Sequence, residues 1–295
     1  MRTSDLARLL TLAMLWGGSF LLYRIVTPVL GTIVSTEARV AIAGIVLLAW
    51  QMSVGPRFEW RRHARAMTVV GLFNSAVPFA LFGFAAHTLP TAYLAIINAT
   101  SPLFGAVIAW VWLGEALNLT RSLGIATGVV GVIALVGLGP VATDPTTAIA
   151  IAACLVAAAS YGFAANYTRQ LAHPVLPTTM ATGSQFAAAL WVVPLLPLEP
   201  LHAMPSGAMV GATLILAIAC TSLAYLLYFR LISDLGATRA LTVTFLIPLF
   251  ATAWAWLILD EVPTPRMGIG GALVLIATWL IVRTSRAAVP KAAFR

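Results

Sequence analysis

Charge is scarce in this chain. Asp, Glu, Lys and Arg make up 9% of its 295 residues, against about 25% in soluble globular domains. With 61% hydrophobic residues and a mean hydropathy of +0.97, there is too little polar surface to cover a water-soluble globule, so the chain belongs in a bilayer. Acidic residues are the rarer sign, 9 against 17 basic ones. The resulting net charge of +8 does not point to nucleic acid, because the basic residues stand singly at segment ends without the contiguous stripe that such a groove requires. Cysteine is nearly missing too: Cys154 and Cys220 fall inside apolar stretches and read as small buried hydrophobes, not as a disulfide or metal ligands. No HExxH occurs, and His63, His87, His173 and His202 lie near loops of different segments, so nothing converges as the metal ligands or acids of a membrane enzyme would. No cofactor or metal is expected.

What is present is apolar and regularly interrupted. Crossing the hydrocarbon takes about 20 apolar residues per helix. The turn signals (Gly55-Pro56, Leu89-Pro90, Gly139-Pro140, His173-Pro174, the proline-rich 194–205, Leu235-Gly236 and Pro263 to Pro265) divide the chain into ten segments: 6–27, 32–53, 65–87, 91–112, 119–138, 147–169, 177–198, 208–231, 237–258 and 265–284. Arg2 and Arg8 before the first run mimic a signal peptide, but the run is long and lacks a small-residue cleavage pattern, so it reads as the first transmembrane helix.

The chain also repeats itself. A shift of 146 superimposes SPLFGAVIAWVWLGE, ending at Glu115, on IPLFATAWAWLILDE, ending at Glu261, and carries Pro102 onto Pro248, Trp110 onto Trp256 and Gly124 onto Gly270. Trp16-Gly17 and Arg24 match Tyr161-Gly162 and Arg169 at a shift of 145, and Phe79 falls on Tyr225 at 146. Segments one to five therefore map onto six to ten, with halves at 1–140 and 141–295. If the N-terminus is cytoplasmic, 14 of the 17 Lys and Arg residues fall on the cytoplasmic side, leaving only Arg24, Arg39 and Arg266 outside. That asymmetry supports an even helix count with both termini inside. Five helices per half then make the repeat inverted, and in a very apolar chain an inverted duplication points to a transporter.

Ten helices in two inverted halves, the Trp-Gly-Gly-Ser-Phe segment at 16–20, the acid-Ala-Arg segment at Glu37 to Arg39 and the twin Pro to Glu motifs resemble the EamA branch of the drug/metabolite transporter superfamily. The likeness covers the whole chain and within that branch is most similar to the YddG-type amino acid exporters. It implies a basket-shaped bundle in a bacterial-type inner membrane. A central cavity would be lined by helices 1, 3, 4, 6, 8 and 9, with helices 5 and 10 peripheral, and export would proceed by alternating access. Small multidrug members of the superfamily carry a proton-exchanging glutamate in helix 1, where this chain has only Asp5 at the mouth. A central charge costs about 2.5 to 3.5 kcal/mol on insertion scales, and no segment holds one near its middle on this reading. An uncharged cavity for a neutral or zwitterionic solute, without a membrane-embedded acidic proton site, is expected.

In inverted-repeat transporters the solute sits near the midplane between the halves, which nominates Trp16, Ser19, Asn74, Phe79, Asn98, Tyr161, Asn166, Ser222, Tyr225 and Thr244. For Asn74 and Asn98, lining a cavity and bonding between helices are equally open. Trp16, Tyr161 and Tyr225 serve either as lining or as packing. Pro102 and Pro248 each remove a backbone hydrogen bond mid-helix and are hinge candidates, a static kink being the alternative. Glu115 and Glu261 follow the ends of segments four and nine and suit capping or pairing with an arginine better than transport chemistry. Arg24, Glu37 and Arg39 form a candidate outer gate. Of these, Arg24 with Glu37 is the preferred pair, since residues two apart do not share a helix face. The glycines of 124–131 and 268–271 fit close packing within the bundle better than dimerisation, in a monomer or weak homodimer. The expected function is export of amino acids, aromatic and other neutral ones included, and of related metabolites. The alternatives are a nucleoside, sugar or lipophilic drug as solute and, more remotely, a membrane enzyme.

Overall fold

Most segments are apolar on every side, and a helix without a polar face must be enclosed by protein or lipid. In the computed structural model the described residues form ten helices, α1 Thr3–Leu30, α2 Thr32–Val54, α3 Trp60–Ala85, α4 Thr91–Leu113, α5 Leu119–Leu138, α6 Pro145–Arg169, α7 Pro177–Val192, α8 207–235, α9 Val243–Leu259 and α10 Pro265–Thr284. The structure describes residues 3–54, 58–138, 144–171, 175–201, 203–235 and 243–284, and among these there is no strand. The start expected for the ninth segment, at 237, lies outside them, as do Arg2, Arg57, Arg239, Arg286, Lys291, Arg295, His173 and His202. Large apolar side chains such as Ile45, Val111, Ile133, Leu190 and Leu257 stand exposed on the flanks, a surface suited to hydrocarbon.

The ends of the helices follow local chemistry. Asp144 caps α6 by accepting from the Thr147 amide at 2.9 Å. Gly114 (φ 68°) ends α4 in the left-handed region and Asp260 (φ 55°), its counterpart in the repeat, ends α9 the same way. Each turns the chain so that the next amide, of Glu115 or Glu261, returns 3.2 Å to the carbonyl of Ala109 or Ala255. The twin glutamates are thereby fixed at opposite ends of the bundle.

The two halves are joined by matched crossings. Gly17 of α1 packs so closely on α9 that a Cβ would lie 2.8 Å from the Ala251 amide nitrogen, and Gly162 of α6 packs on α4 with a corresponding 2.6 Å to Gly105. Two further helices brace this core from outside. In α5, Gly124 meets α10 where a Cβ would stand 2.9 Å from Ile281, so the glycines of α5 serve packing within the bundle. Thr278 of α10 donates to the Ala99 carbonyl at 2.6 Å, in the break that separates Thr91–Asn98 from Ser101–Leu113 within α4. Pro102 has no amide for the Asn98 carbonyl, and the Ser101 hydroxyl supplies the hydrogen bond instead, at 2.6 Å. Pro248, by contrast, lies within the continuous helix α9.

Candidate functional site

Two π-helical stretches, Leu72–Ala76 in α3 and Ile215–Leu223 in α8, occupy equivalent positions in the two halves. A π turn leaves an i−4 carbonyl spare and often marks a functional position. In α8 the hydroxyls of Thr221 and Ser222 donate to the carbonyls of Leu216 and Ala217, five residues back, at 2.9 and 3.2 Å. Ser222 also reaches the Ala43 carbonyl of α2 at 3.3 Å.

A helix of the opposite half packs on each π stretch and sends one polar side chain to it. From α2, Arg39 Nε donates to the Thr221 hydroxyl at 2.9 Å. From α7, Gln185 Nε2 donates to the Ser75 hydroxyl at 2.9 Å. Arg39 and Gln185 are themselves 146 apart in sequence, as are Ser75 and Thr221, so the two bonds are one contact made twice. The symmetry is broken beside them. Asn74 Nδ2 donates to the Tyr225 hydroxyl at 3.0 Å, whereas the corresponding residues, Cys220 and Phe79, can form no such bond.

Arg39 corrects the reading from sequence that placed it at an outer gate in a chain with no charge deep in a helix. It is 4% exposed, and besides Thr221 its Nη1 donates to the Tyr23 hydroxyl at 2.6 Å while the guanidinium carbon stands 3.7 Å from the Phe79 ring centre. No carboxylate lies within ion-pair distance among the described residues. Glu37, two positions earlier on α2, is partly buried with Oε2 accepting no hydrogen bond.

Aromatic rings enclose this centre. Trp16 meets Tyr228 at 5.2 Å between centroids, Phe82 lies between Phe20 (5.3 Å) and Tyr161 (6.3 Å), and Tyr225 stacks on Phe229 at 5.9 Å. Trp16, Tyr161, Tyr225 and Asn74 are each only partly buried. Asn98 is partly exposed although Thr91 to Ile97 are all buried, and its side-chain amide forms no hydrogen bond among the described residues. Other nominated residues serve the helices. Ser19 donates to the Trp16 carbonyl at 2.7 Å. Asn166 ties α6 to α4 through the Gly162 and Gly105 carbonyls, both at 2.9 Å. Thr244 is partly buried, one turn before Pro248. Tyr23, Ser75, Gln185 and Thr221 were not nominated from sequence, although the 146-residue shift that carries Arg39 onto Gln185 and Ser75 onto Thr221 was available to find them.

Above and below this centre stand two ion pairs, again related by the repeat. Arg24 of α1 meets Glu261 at 3.5 Å, not Glu37 as expected, and its Nη1 donates to the Ala86 and His87 carbonyls at 2.8 and 3.1 Å. Glu261 also caps the first turn of α4 by accepting from the Thr91 amide at 2.9 Å. At the other end Arg169 of α6 meets Glu115 at 2.5 Å, with Arg121 at 3.1 Å from the same carboxylate. Hydrogen bonding from Arg169, opposed by desolvation and aided by Arg121, holds the Glu115 carboxyl below its ordinary value. Arg24–Glu261 and Arg169–Glu115 thus form equivalent pairs across the two halves, and Glu115 adds Arg121 of its own half.

Comparison with known proteins accords with this plan. The family model of the EamA-like transporters matches residues 6–137 and again 148–283. A probable terminal-alkyne amino-acid exporter of Streptantibioticus cattleyicolor is 24% identical over 91% of this chain and 90% of its own. The uncharacterized inner membrane transporter YedA of Escherichia coli K12 is 27% identical over 82% of this chain and 79% of its own. One solved crystal structure superposes with a TM-score of 0.67 at 19% identity, over 97% of this chain and 99% of the other. With a helical membrane fold of two inverted five-helix repeats and a family match to each half, the chain belongs to the EamA-like transporter family, within the drug/metabolite transporter superfamily, and is a multi-pass membrane transporter.

Proposed function

We propose that the protein exports amino acids and related small zwitterionic metabolites from the cytoplasm by alternating access, holding the solute between the repeats at the centre defined by Trp16, Asn74, Asn98, Tyr161 and Tyr225. The observation that carries this reading is the pair of π stretches at equivalent positions of the two halves, one bearing Asn74 and Ser75 and the other Thr221 and Ser222, each met by a polar side chain of the opposite half. Polar groups at such depth are expensive unless bonded or wet, and here they cluster instead of scattering. The relative named as a probable amino-acid exporter supports the solute class.

In this reading Arg24–Glu261 and Arg169–Glu115 are the latches of the two ends, and each opens in turn. Partly exposed pairs of this kind contribute only about 0 to 1 kcal/mol, so a latch is released at little cost. The 14 basic residues assigned to one side orient the chain with both termini cytoplasmic, the Glu115 latch inward and the Glu261 latch outward. Efflux of radiolabelled amino acids from loaded proteoliposomes tests the proposal: counterflow above that of empty liposomes is expected, and absence of stimulated efflux for every amino acid would remove the assignment. Running the assay with and without a proton gradient tests the expected independence from a membrane-embedded acid.

A further inference from the structure

The Arg39 guanidinium is buried within the bundle, and no carboxylate lies within ion-pair distance of it among the described residues. It is 4% exposed, and the groups that hold it are neutral: the Thr221 and Tyr23 hydroxyls on Nε and Nη1, and the rings of Phe79 and Tyr23 at 3.7 and 5.0 Å. These contacts fix its plane, and Nη2 is left without a hydrogen-bond partner among the described residues. A guanidinium held by one edge and one face, with donors to spare, has the geometry that receives a carboxylate. Charges buried without a protein counter-ion in membrane helices mark solute or ion paths.

The repeat supplies the complementary group. Gln185, fully buried, uses Nε2 for Ser75 while its Oε1 accepts no hydrogen bond. Both bonds lie close to Tyr225: Gln185 reaches Ser75, the neighbour of the Asn74 that donates to the Tyr225 hydroxyl, and Arg39 reaches Thr221, one helical turn before Tyr225. Among the described residues a donor cation without a carboxylate and a buried acceptor without a donor thus occupy equivalent positions of the two halves, each on a π stretch of the opposite half. We infer that Arg39 binds the carboxylate of the solute and Gln185 Oε1 accepts from its ammonium, so that the protein recognises the zwitterionic head group and leaves the side chain to the surrounding aromatic rings. This rests on the proposed central site and narrows its ligands to α-amino acids and similar zwitterions.

The test is equilibrium binding of leucine, leucinamide and 4-methylpentanoate to the purified full-length protein by calorimetry, alongside leucine efflux from proteoliposomes. Leucine is expected to bind at least about tenfold more tightly than either analogue, each of which forfeits one charge-assisted contact. Arg39→Gln is expected to bring leucine down to the affinity of leucinamide, Arg39→Lys to recover part of the loss, and Gln185→Leu to bring leucine down to 4-methylpentanoate. Equal affinity of the wild-type protein for leucine and leucinamide would overturn the role of Arg39, even if the variants fail to fold. Equal affinity for leucine and 4-methylpentanoate would overturn that of Gln185. Binding in the expected order without leucine efflux would leave the head-group assignment standing and remove the export proposal, whereas efflux without discrimination would do the reverse.

Discussion

At the scale of single residues, the polar centre gives sharp expectations. Tyr225→Phe removes the acceptor of Asn74 and should lower transport severalfold while costing about 1 kcal/mol of stability, read by efflux and by thermal unfolding in detergent. Asn98→Ala should slow efflux with little change in melting temperature, and Trp16→Ala should slow it while lowering the melting temperature through lost packing on Tyr228; unchanged rates in all three variants would dismiss the site. For Glu115 the sign follows from its depressed pKa. Its ion pairs contribute above the ordinary glutamate value of 4.5 and are lost as the pH falls through the lower folded value. Glu115→Gln should therefore cost at most about 1 kcal/mol of stability at neutral pH, read as a slightly lower melting temperature, and the difference should close under acid conditions. Residue types at mid-helix depth showed where polar groups would lie, but not what they touch. Asn166 and Ser19 looked like lining because amide and hydroxyl are polar wherever they occur; only packing shows that one ties α6 to α4 and the other satisfies its own helix. Arg39 looked like a mouth residue from its place near the start of its segment, since its true partner Thr221 is 182 positions away.

At the scale of helices, apolar length and turn chemistry were enough to draw the architecture. The expected segments 119–138 and 265–284 coincide with α5 and α10, and 91–112 ends one residue short of α4. The π stretches were not legible, because an extra residue in a turn alters neither composition nor apolar length. The two prolines looked alike in sequence yet differ in structure. Pro102 opens the second part of a broken helix whose spare carbonyls take hydroxyls from Ser101 and Thr278, and Pro248 sits within an unbroken one. Thr278→Val should leave the Ala99 carbonyl unpaired and cost about 1 to 3 kcal/mol, a loss visible as a lower melting temperature. Asp260 adopts a left-handed conformation that its counterpart Gly114 adopts freely. Asp260→Gly should therefore stabilise α9 by up to about 1 kcal/mol, and a lower melting temperature would show that the aspartate side chain has a compensating partner.

At the scale of the whole molecule, duplication puts equivalent ion pairs, the proposed latches, at opposite ends. Both native cysteines are buried, so an Asn98→Cys variant reports access to the centre through a membrane-impermeant thiol reagent. Glu261→Gln should raise labelling from the outer face and Glu115→Gln from the inner one; the same response to both would mean that the pairs are structural ties. The inversion relates the walls of the centre as well, but imperfectly: Asn74 and Tyr225 share a hydrogen bond on one side where Cys220 and Phe79 face the other. Had the copies stayed identical, a lopsided guest could lodge in two poses of equal energy related by the two-fold axis, each blurring the other. The exchange of Arg39 for Gln185 and the Tyr225 hydroxyl abolish that degeneracy, so a bound amino acid carrying an isotopic label should give one set of resonances, with its head and tail assigned to fixed walls.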